Sequence, residues 1–146
     1  MLNHCRQEMP HEACGLLVGK NGNVETIISI PNVAVEPKSN FLADPVKQKE
    51  AFDLLLRQGW ELMGIYHSHP QCPPIPSAND IRQAAYPQSM QVIVGLRNSR
   101  PDVRVYRVQP DKGTAVRVLL DLPGSKPSKR VKEFGRSLSI IGNWSV

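Results

Sequence analysis

The segment GIYHSHPQCPPIPSAND places two imidazoles, a hydroxyl and a carboxylate around a stretch rich in proline. The imidazoles belong to His67 and His69, and the hydroxyl and the carboxylate belong to Ser77 and Asp80. Zinc in proteins takes imidazole and carboxylate ligands in a roughly tetrahedral shell, and a catalytic zinc keeps three protein ligands and a water. The residue types of this segment therefore suit a catalytic metal site.

A strand that ends at the two histidines would bring their side chains together. Alternate side chains of a strand share one face, so His67 and His69 point to the same side while Ser68 points away. Asp80 is the expected third ligand, because the loop can fold back and present the first turn of the next helix to the strand end. The pattern from Ser77 to Asp80 is also a capping box, which fixes a helix start. The two interpretations are compatible.

Hydrolysis at a metal site also needs a group that transfers protons. Zinc lowers the pKa of a bound water to about 7, but a carboxylate within hydrogen-bonding distance must still accept the proton and deliver it to the leaving group. The candidate is Glu12, because it stands at the mouth of an apolar stretch that has the character of a buried strand. Taken alone, Glu12 would be an ordinary surface glutamate.

The spacing of apolar residues predicts the elements that would position these groups. Strands are predicted over residues 13–19, 24–30, 60–69, 90–96, 103–108 and 114–120, and residues 33–35 could add a short one. Helices are predicted over residues 2–8, 45–58 and 77–85. The order is not a strict repeat of strand, helix and strand, so we expect an α/β or α+β fold with a central mixed sheet and flanking helices.

Turn and cap residues mark the ends of several of these elements. The sequence KNGN at residues 20–23 predicts a tight hairpin turn between the first two strands. Asp44 followed by Pro45 predicts an N-cap and a first helical residue, and Gly59 suits the left-handed end of the same helix. The core face of this helix is expected to consist of three residues, Phe52, Leu55 and Leu56.

Length and composition fit one ordinary globular domain. The chain has 146 residues, of which 40% are apolar and 21% charged, so neither disorder nor a membrane protein is indicated. We expect one domain over residues 1–122 and a basic tail over residues 123–146, for which a helix and disorder both stay open. The N-terminus lacks the apolar core of a signal peptide, so the expected compartment is the cytoplasm. The odd number of cysteines without CxxC spacing predicts reduced thiols.

Three motifs in one order resemble the signature of a known family, the JAMM or MPN+ metalloproteases. HEACGLLVG surrounds Glu12, GIYHSHP ends at Pro70, and PSAND ends at Asp80. The family signature is a distant glutamate followed by HxHP and then by S-x-x-D, and this chain matches each part in order and spacing. The resemblance spans residues 12–96 and is greatest to the small prokaryotic members.

The resemblance implies an MPN-type fold, related in layout to the cytidine-deaminase-like fold. It implies a zinc ion held by His67, His69, Asp80 and a water, with Glu12 as general acid and base and Ser77 as the donor to the oxyanion. Family members cleave peptide or isopeptide bonds after the C-terminal glycine of ubiquitin-like proteins, and some small prokaryotic members trim sulfur carrier proteins to free a diglycine. The implied cofactor is Zn²⁺, and the implied partner is a ubiquitin-like protein with a C-terminal diglycine.

Other interpretations of the same residues were weighed against this one. A zinc deaminase needs H-x-E followed by P-C-x-x-C, and Cys72 has no partner cysteine at that spacing. A non-catalytic scaffold or a ubiquitin-like-binding module of the same fold stays open, although all five site residues are present. Nucleic-acid binding through the basic tail is less expected, because no recognition motif accompanies the charge. A Cys72 thiolate could also reach the metal and inhibit the enzyme.

Overall fold

The computed structural model describes residues 1–118, so the predicted tail at 123–146 lies outside the described residues. The strands are β1 Cys14–Lys20, β2 Asn23–Ile30, β3 Glu61–His69, β4 Met90–Gly95, β5 Asp102–Gln109 and β6 Thr114–Val118. The helices are α1 Leu2–Gln7, α2 Pro45–Gln58 and α3 Ala78–Arg82, with a short 3-10 turn at Pro110–Lys112. No helix within residues 1–118 is long and apolar enough to cross a membrane.

The strands form one sheet in the order β2-β1-β3-β4-β5-β6. Every neighbouring pair is antiparallel except β3 and β4, which run parallel, with Gly64 opposite Met90 and His69 opposite Gly95. A parallel pair needs a crossover connection, and here that connection carries the proline-rich loop and α3. The predicted central mixed sheet with flanking helices is confirmed.

The helices divide between the two faces of the sheet. Cys5 of α1 packs in the core cluster that contains Tyr66. Leu55 of α2 and Ile81 of α3 pack against the clusters of the opposite face. Because His67 follows Tyr66 in β3 and successive side chains alternate, His67 lies on the face that α2 and α3 cover. This face carries the candidate site.

The predicted hairpin turn and both predicted ends of α2 are present in the structure. Asn21 and Gly22 both have positive φ, 53° and 80°, as the tight hairpin between β1 and β2 requires. At the start of α2, the Asp44 side chain accepts hydrogen bonds from the backbone N–H groups of Val46 and Lys47. The helix ends at Gly59 in the left-handed conformation, with φ of 61°.

Three local predictions differ from the structure. Leu56 is 80% exposed, whereas Leu55 is buried, because one residue along a helix turns the side chain by about 100°. Residues 33–35 form no strand; the N–H of Ala34 is taken by the Asn32 side chain instead. The third helix, expected over residues 77–85, ends at Arg82.

Candidate metal centre

His67, His69 and Asp80 bring three potential ligand atoms to one point. The Nε2 atoms of His67 and His69 are 3.1 Å apart, and each lies 3.6 Å from an oxygen of Asp80. Ligand atoms bonded at about 2.0–2.1 Å in a tetrahedron are about 3.4 Å from one another. Among residues 1–118, His67, His69 and Asp80 form the group whose ligand atoms are close enough to hold a metal ion, all three lying within 4.8 Å of one another. The residues present therefore fit a tetrahedral cation with one position left for water.

The loop after β3 sets the protonation of His69. The Nδ1 atom of His69 lies 2.8 Å from the carbonyl oxygen of Pro73. Because a carbonyl oxygen can only accept a hydrogen bond, Nδ1 carries the proton. The lone pair of Nε2 is then available to a cation. Tyr106 of β5 donates a hydrogen bond to the carbonyl of Pro74 at 2.7 Å. Gly95 of β4 packs so closely against Pro74 that an added Cβ would lie only 2.7 Å from Pro74 Cδ. Contacts from β4 and β5 therefore both hold this loop in place.

His67 lies deeper than His69. Its side chain is 1% exposed and stacks on Phe41, with ring centroids 4.5 Å apart and an interplanar angle of 21°. Burial lowers the pKa of His67, despite the opposing effect of the Asp80 carboxylate 3.6 Å away. The neutral imidazole that a metal requires is therefore the favoured form. Its Nδ1 is buried without a hydrogen-bond partner among the described residues.

The capping box of α3 fixes Ser77 and Asp80. The N–H of Ser77 donates to Asp80 Oδ2 at 2.6 Å, and the N–H of Asp80 donates to Ser77 Oγ at 3.1 Å. Because Oγ accepts in this cap, the hydroxyl hydrogen of Ser77 stays available to another acceptor. Burial alone would raise the pKa of Asp80, but the nearby imidazoles of His67 and His69 and the hydrogen bond from the Ser77 backbone hold it below its usual range. Asp80 is therefore an ionised carboxylate.

Glu12 lies next to this cluster at the start of β1. Cys14 is opposite His67 in the β1–β3 ladder, and the N–H of Ser68 donates to the carbonyl of Ala13, so Glu12 continues the ladder towards His69. Its side chain is buried, with the residue 5% exposed. Burial raises the pKa of Glu12 to about 7; the neighbouring His69 acts to lower it, and the negative charge of Asp80 raises it further. A carboxyl group that titrates near neutral pH suits transfer of protons in both directions.

Cys72 is exposed and lies outside the cluster formed by His67, His69 and Asp80. Its inhibitory role stays a prediction. The structure also adds residues that the sequence patterns did not single out, namely Asn32, Phe41 and Tyr106. Each of these residues contacts a segment that is far away in the chain, so no pattern among neighbouring residues predicts the contact.

The chain belongs to the family described as "Prokaryotic homologs of the JAB domain", which it matches over residues 1–109. The resemblance drawn from the three motifs is thereby confirmed at the level of the family and of the fold.

Relatives with curated names and solved structures agree with this assignment. The chain is 42% identical over 83 residues to the "Probable TtuB-protein conjugate cleaving protease" of Thermus thermophilus, covering 57% of this chain and 55% of that protein. It is 32% identical over 100 residues to the "Desampylase" of Haloferax volcanii, covering 64% of this chain and 71% of that protein. A solution structure of a Desulfitobacterium hafniense protein superposes with a TM-score of 0.70 at 33% identity, covering 81% and 82%. The match thus spans little more than half the length of the Thermus relative.

Proposed function

We propose that this protein is a zinc-dependent protease that hydrolyses a peptide or isopeptide bond after the C-terminal diglycine of a ubiquitin-like protein. The observation that carries the proposal is the convergence of His67, His69 and Asp80 at ligand distances beside the buried Glu12. The names of the two relatives support it, since one is called a conjugate-cleaving protease and the other a desampylase.

His67, His69 and Asp80 would hold the zinc ion. When bound there, zinc would supply Lewis acidity that polarises the scissile carbonyl and acidifies a water. His69 presents its Nε2 lone pair because Nδ1 donates to Pro73, and Asp80 supplies the negative charge that helps to balance a dication. Three protein ligands leave room for water and substrate, which distinguishes a catalytic zinc from a structural one.

Glu12 performs the proton transfers in the proposed reaction. Its carboxylate accepts a proton from the attacking water as the oxygen bonds to the scissile carbonyl carbon. The protonated carboxyl then delivers that proton to the departing amine as the carbon–nitrogen bond breaks. Ser77 donates its free hydroxyl hydrogen to the oxyanion of the tetrahedral intermediate. No covalent bond to the enzyme is needed.

A groove lies beside the proposed metal centre, where it would receive the extended tail of the substrate. One wall is the segment from Ala34 to Leu42, and the other is formed by Asn79 of α3 and by Gln83, the residue that caps its C-terminal end. Val35 is 99% exposed at the rim of this groove. Glycine lacks a side chain, so recognition of a diglycine must use backbone hydrogen bonds and steric exclusion of larger residues. The groove therefore offers a place for the extended tail in the proposed reaction, and glycine at its end is part of the proposal.

The test is to incubate the zinc-loaded protein with a ubiquitin-like sulfur carrier that is extended by a few residues past its diglycine. The mass of the carrier is followed over time. Cleavage after the second glycine is expected, and it should disappear with a chelator and return with added zinc. A matched carrier ending in Ala-Ala before the extension is expected to resist cleavage, because the proposed specificity is for glycine at these two positions.

The same assay distinguishes the two linkages. A carrier joined through its diglycine to a lysine side chain reports isopeptide cleavage, and the linear extension reports peptide cleavage. If zinc is bound and neither substrate is cut, the proposal is wrong, and a non-catalytic member of the JAB family becomes the better account.

A further inference from the structure

The backbone of Glu12 is held from outside the sheet. Its N–H donates to the carbonyl of Pro37 at 2.7 Å, and its carbonyl accepts from the side-chain amide of Asn32 at 2.8 Å. Both partners belong to the connection between β2 and α2, residues 31–44, which we call the clamp segment. Glu12 precedes the first residue of β1, Cys14, so the sheet ladder alone does not fix it.

Asn32 is the centre of the clamp segment. Its Nδ2 donates to the carbonyls of Glu12 and Asn40, at 2.8 Å and 3.0 Å. Its Oδ1 accepts from the N–H groups of Ala34 and Leu42, both at 3.0 Å. These contacts fill the two donors and two acceptors that a primary amide offers. Two carbonyls on one side and two N–H groups on the other also leave no ambiguity about which atom is nitrogen.

The clamp segment also contacts the metal ligands. Phe41 stacks on His67, and Asn40 accepts a hydrogen bond at 3.0 Å from the side chain of Asn79, the residue before Asp80. One amide side chain thus joins the acid–base residue to a segment that stacks on the ligand His67 and bonds to Asn79, the neighbour of the ligand Asp80. Catalysis by a general base depends on its distance from the reacting atoms, and an error of about 1 Å can cost a factor of about 100 in rate.

We propose that Asn32 is a positioning residue that sets the distance between Glu12 and the cluster of His67, His69 and Asp80. This inference rests on the proposed function and deepens it. Asn32 touches no reacting atom, so its loss should lower the rate of the chemical step while the ligands keep their affinity for zinc. Aspartate in its place retains both acceptors but loses both donors, so the bonds to the carbonyls of Glu12 and Asn40 are lost while those from Ala34 and Leu42 stay.

The test compares Asn32→Asp with Asn23→Asp, which makes the same change at an exposed site at the start of β2. For Asn32→Asp, kcat on the extended carrier should fall about tenfold to a hundredfold, with KM and zinc affinity close to those of the wild type. Asn23→Asp should leave all three unchanged. A kcat within a factor of about two of the wild type in a folded Asn32→Asp variant overturns the proposal.

A second measurement does not depend on activity. Amide hydrogen exchange reports local opening, and the N–H of Glu12 is bonded to Pro37 within the clamp segment. In Asn32→Asp, exchange at Glu12 should accelerate at least about tenfold, while exchange at His67 in the β3 ladder stays as in the wild type. Unchanged exchange at Glu12 would refute the role of Asn32 even if no substrate were found.

Failure of the proposed function and failure of the proposed role of Asn32 give different results. If the wild-type protein cleaves nothing but Glu12 exchanges faster in the variant, the proposed function is wrong and the positioning of Glu12 by Asn32 holds. If Asn32→Asp does not fold, Asn32→Ser is the uncharged alternative with the same two readouts. Faster exchange at Glu12 in that variant supports the inference, and wild-type exchange contradicts it.

Discussion

Ser68 and Ala13 form a reciprocal pair of hydrogen bonds between β3 and the start of β1. The hydroxyl of Ser68 accepts from the N–H of Ala13 at 2.9 Å, and the N–H of Ser68 donates to the carbonyl of Ala13 at 3.0 Å. Ser68 separates the two histidines in sequence, and Ala13 follows Glu12. The ligand strand is therefore tied directly to the residue beside the proposed general base.

Substituting Ser68→Ala should leave the buried N–H of Ala13 without its side-chain acceptor. An unpaired buried donor costs about 1–3 kcal/mol, so the free energy of unfolding should fall by that amount. Urea denaturation followed by circular dichroism measures this change. Ser39→Ala, at an exposed position of the clamp segment, is the control and should be neutral. An unfolding midpoint for Ser68→Ala equal to that of the wild type would show that the pair contributes nothing.

Substituting Glu12→Gln should abolish turnover while the fold and the zinc content stay intact. The amide cannot accept the proton of water, and general acid–base catalysis contributes about a factor of 100 to 10,000. Because burial raises the pKa of Glu12 to about 7, the neutral amide should not lower the melting temperature. The matched control is Glu25→Gln in β2, which is exposed and should keep the wild-type rate. A fully active Glu12→Gln variant would exclude Glu12 from the reaction.

Substituting Tyr106→Phe should weaken zinc binding without touching a ligand. The hydroxyl of Tyr106 holds the carbonyl of Pro74, and the neighbouring carbonyl of Pro73 orients His69. Loss of a partner that orients a ligand typically lowers metal affinity about 10- to 100-fold. Competition with a chromophoric chelator measures the affinity, and Tyr86→Phe is the control. Equal affinity in the two variants would mean that the loop keeps its position without Tyr106.

The three cysteines should differ sharply in their reactivity towards thiol reagents. Burial raises the pKa of Cys5 to about 11 and that of Cys14 to about 12, whereas Cys72 is exposed. The thiolate is the reactive form, so near neutral pH a chromogenic disulfide should titrate a single thiol in the folded protein and all of them in denaturant. Cys72→Ser should remove the fast-reacting thiol. Rapid labelling of Cys14 in the folded protein would contradict the packing of β1.

The sequence was sufficient where the signal is local. Alternation along a strand predicts that His67 and His69 share a face, and the S-x-x-D spacing predicts a cap that fixes Ser77 and Asp80. Both predictions use neighbours within a few residues, and the structure bears out both local arrangements. The N-cap and the end of α2 were predictable for the same reason.

The sequence was insufficient where contacts join distant segments. Asn32 reaches Glu12 across 20 positions, and Tyr106 reaches Pro74 across 32. Such contacts depend on strand order and on how the clamp segment folds, and periodicity encodes neither. The clamp segment also explains the missed prediction at residues 33–35, because its N–H groups bond to the Asn32 side chain and to Leu42 rather than to a strand.

The most direct test of the central claim is the zinc content of the wild-type protein and of Asp80→Ala, measured after dialysis against metal-free buffer. The wild type is expected to retain a single zinc ion for each chain. Asp80→Ala should lose it, because two imidazoles alone would remain, while Asp53→Ala on the exposed face of α2 should retain it. Zinc at full occupancy in Asp80→Ala, or no zinc in the wild type, would contradict the proposed metal centre.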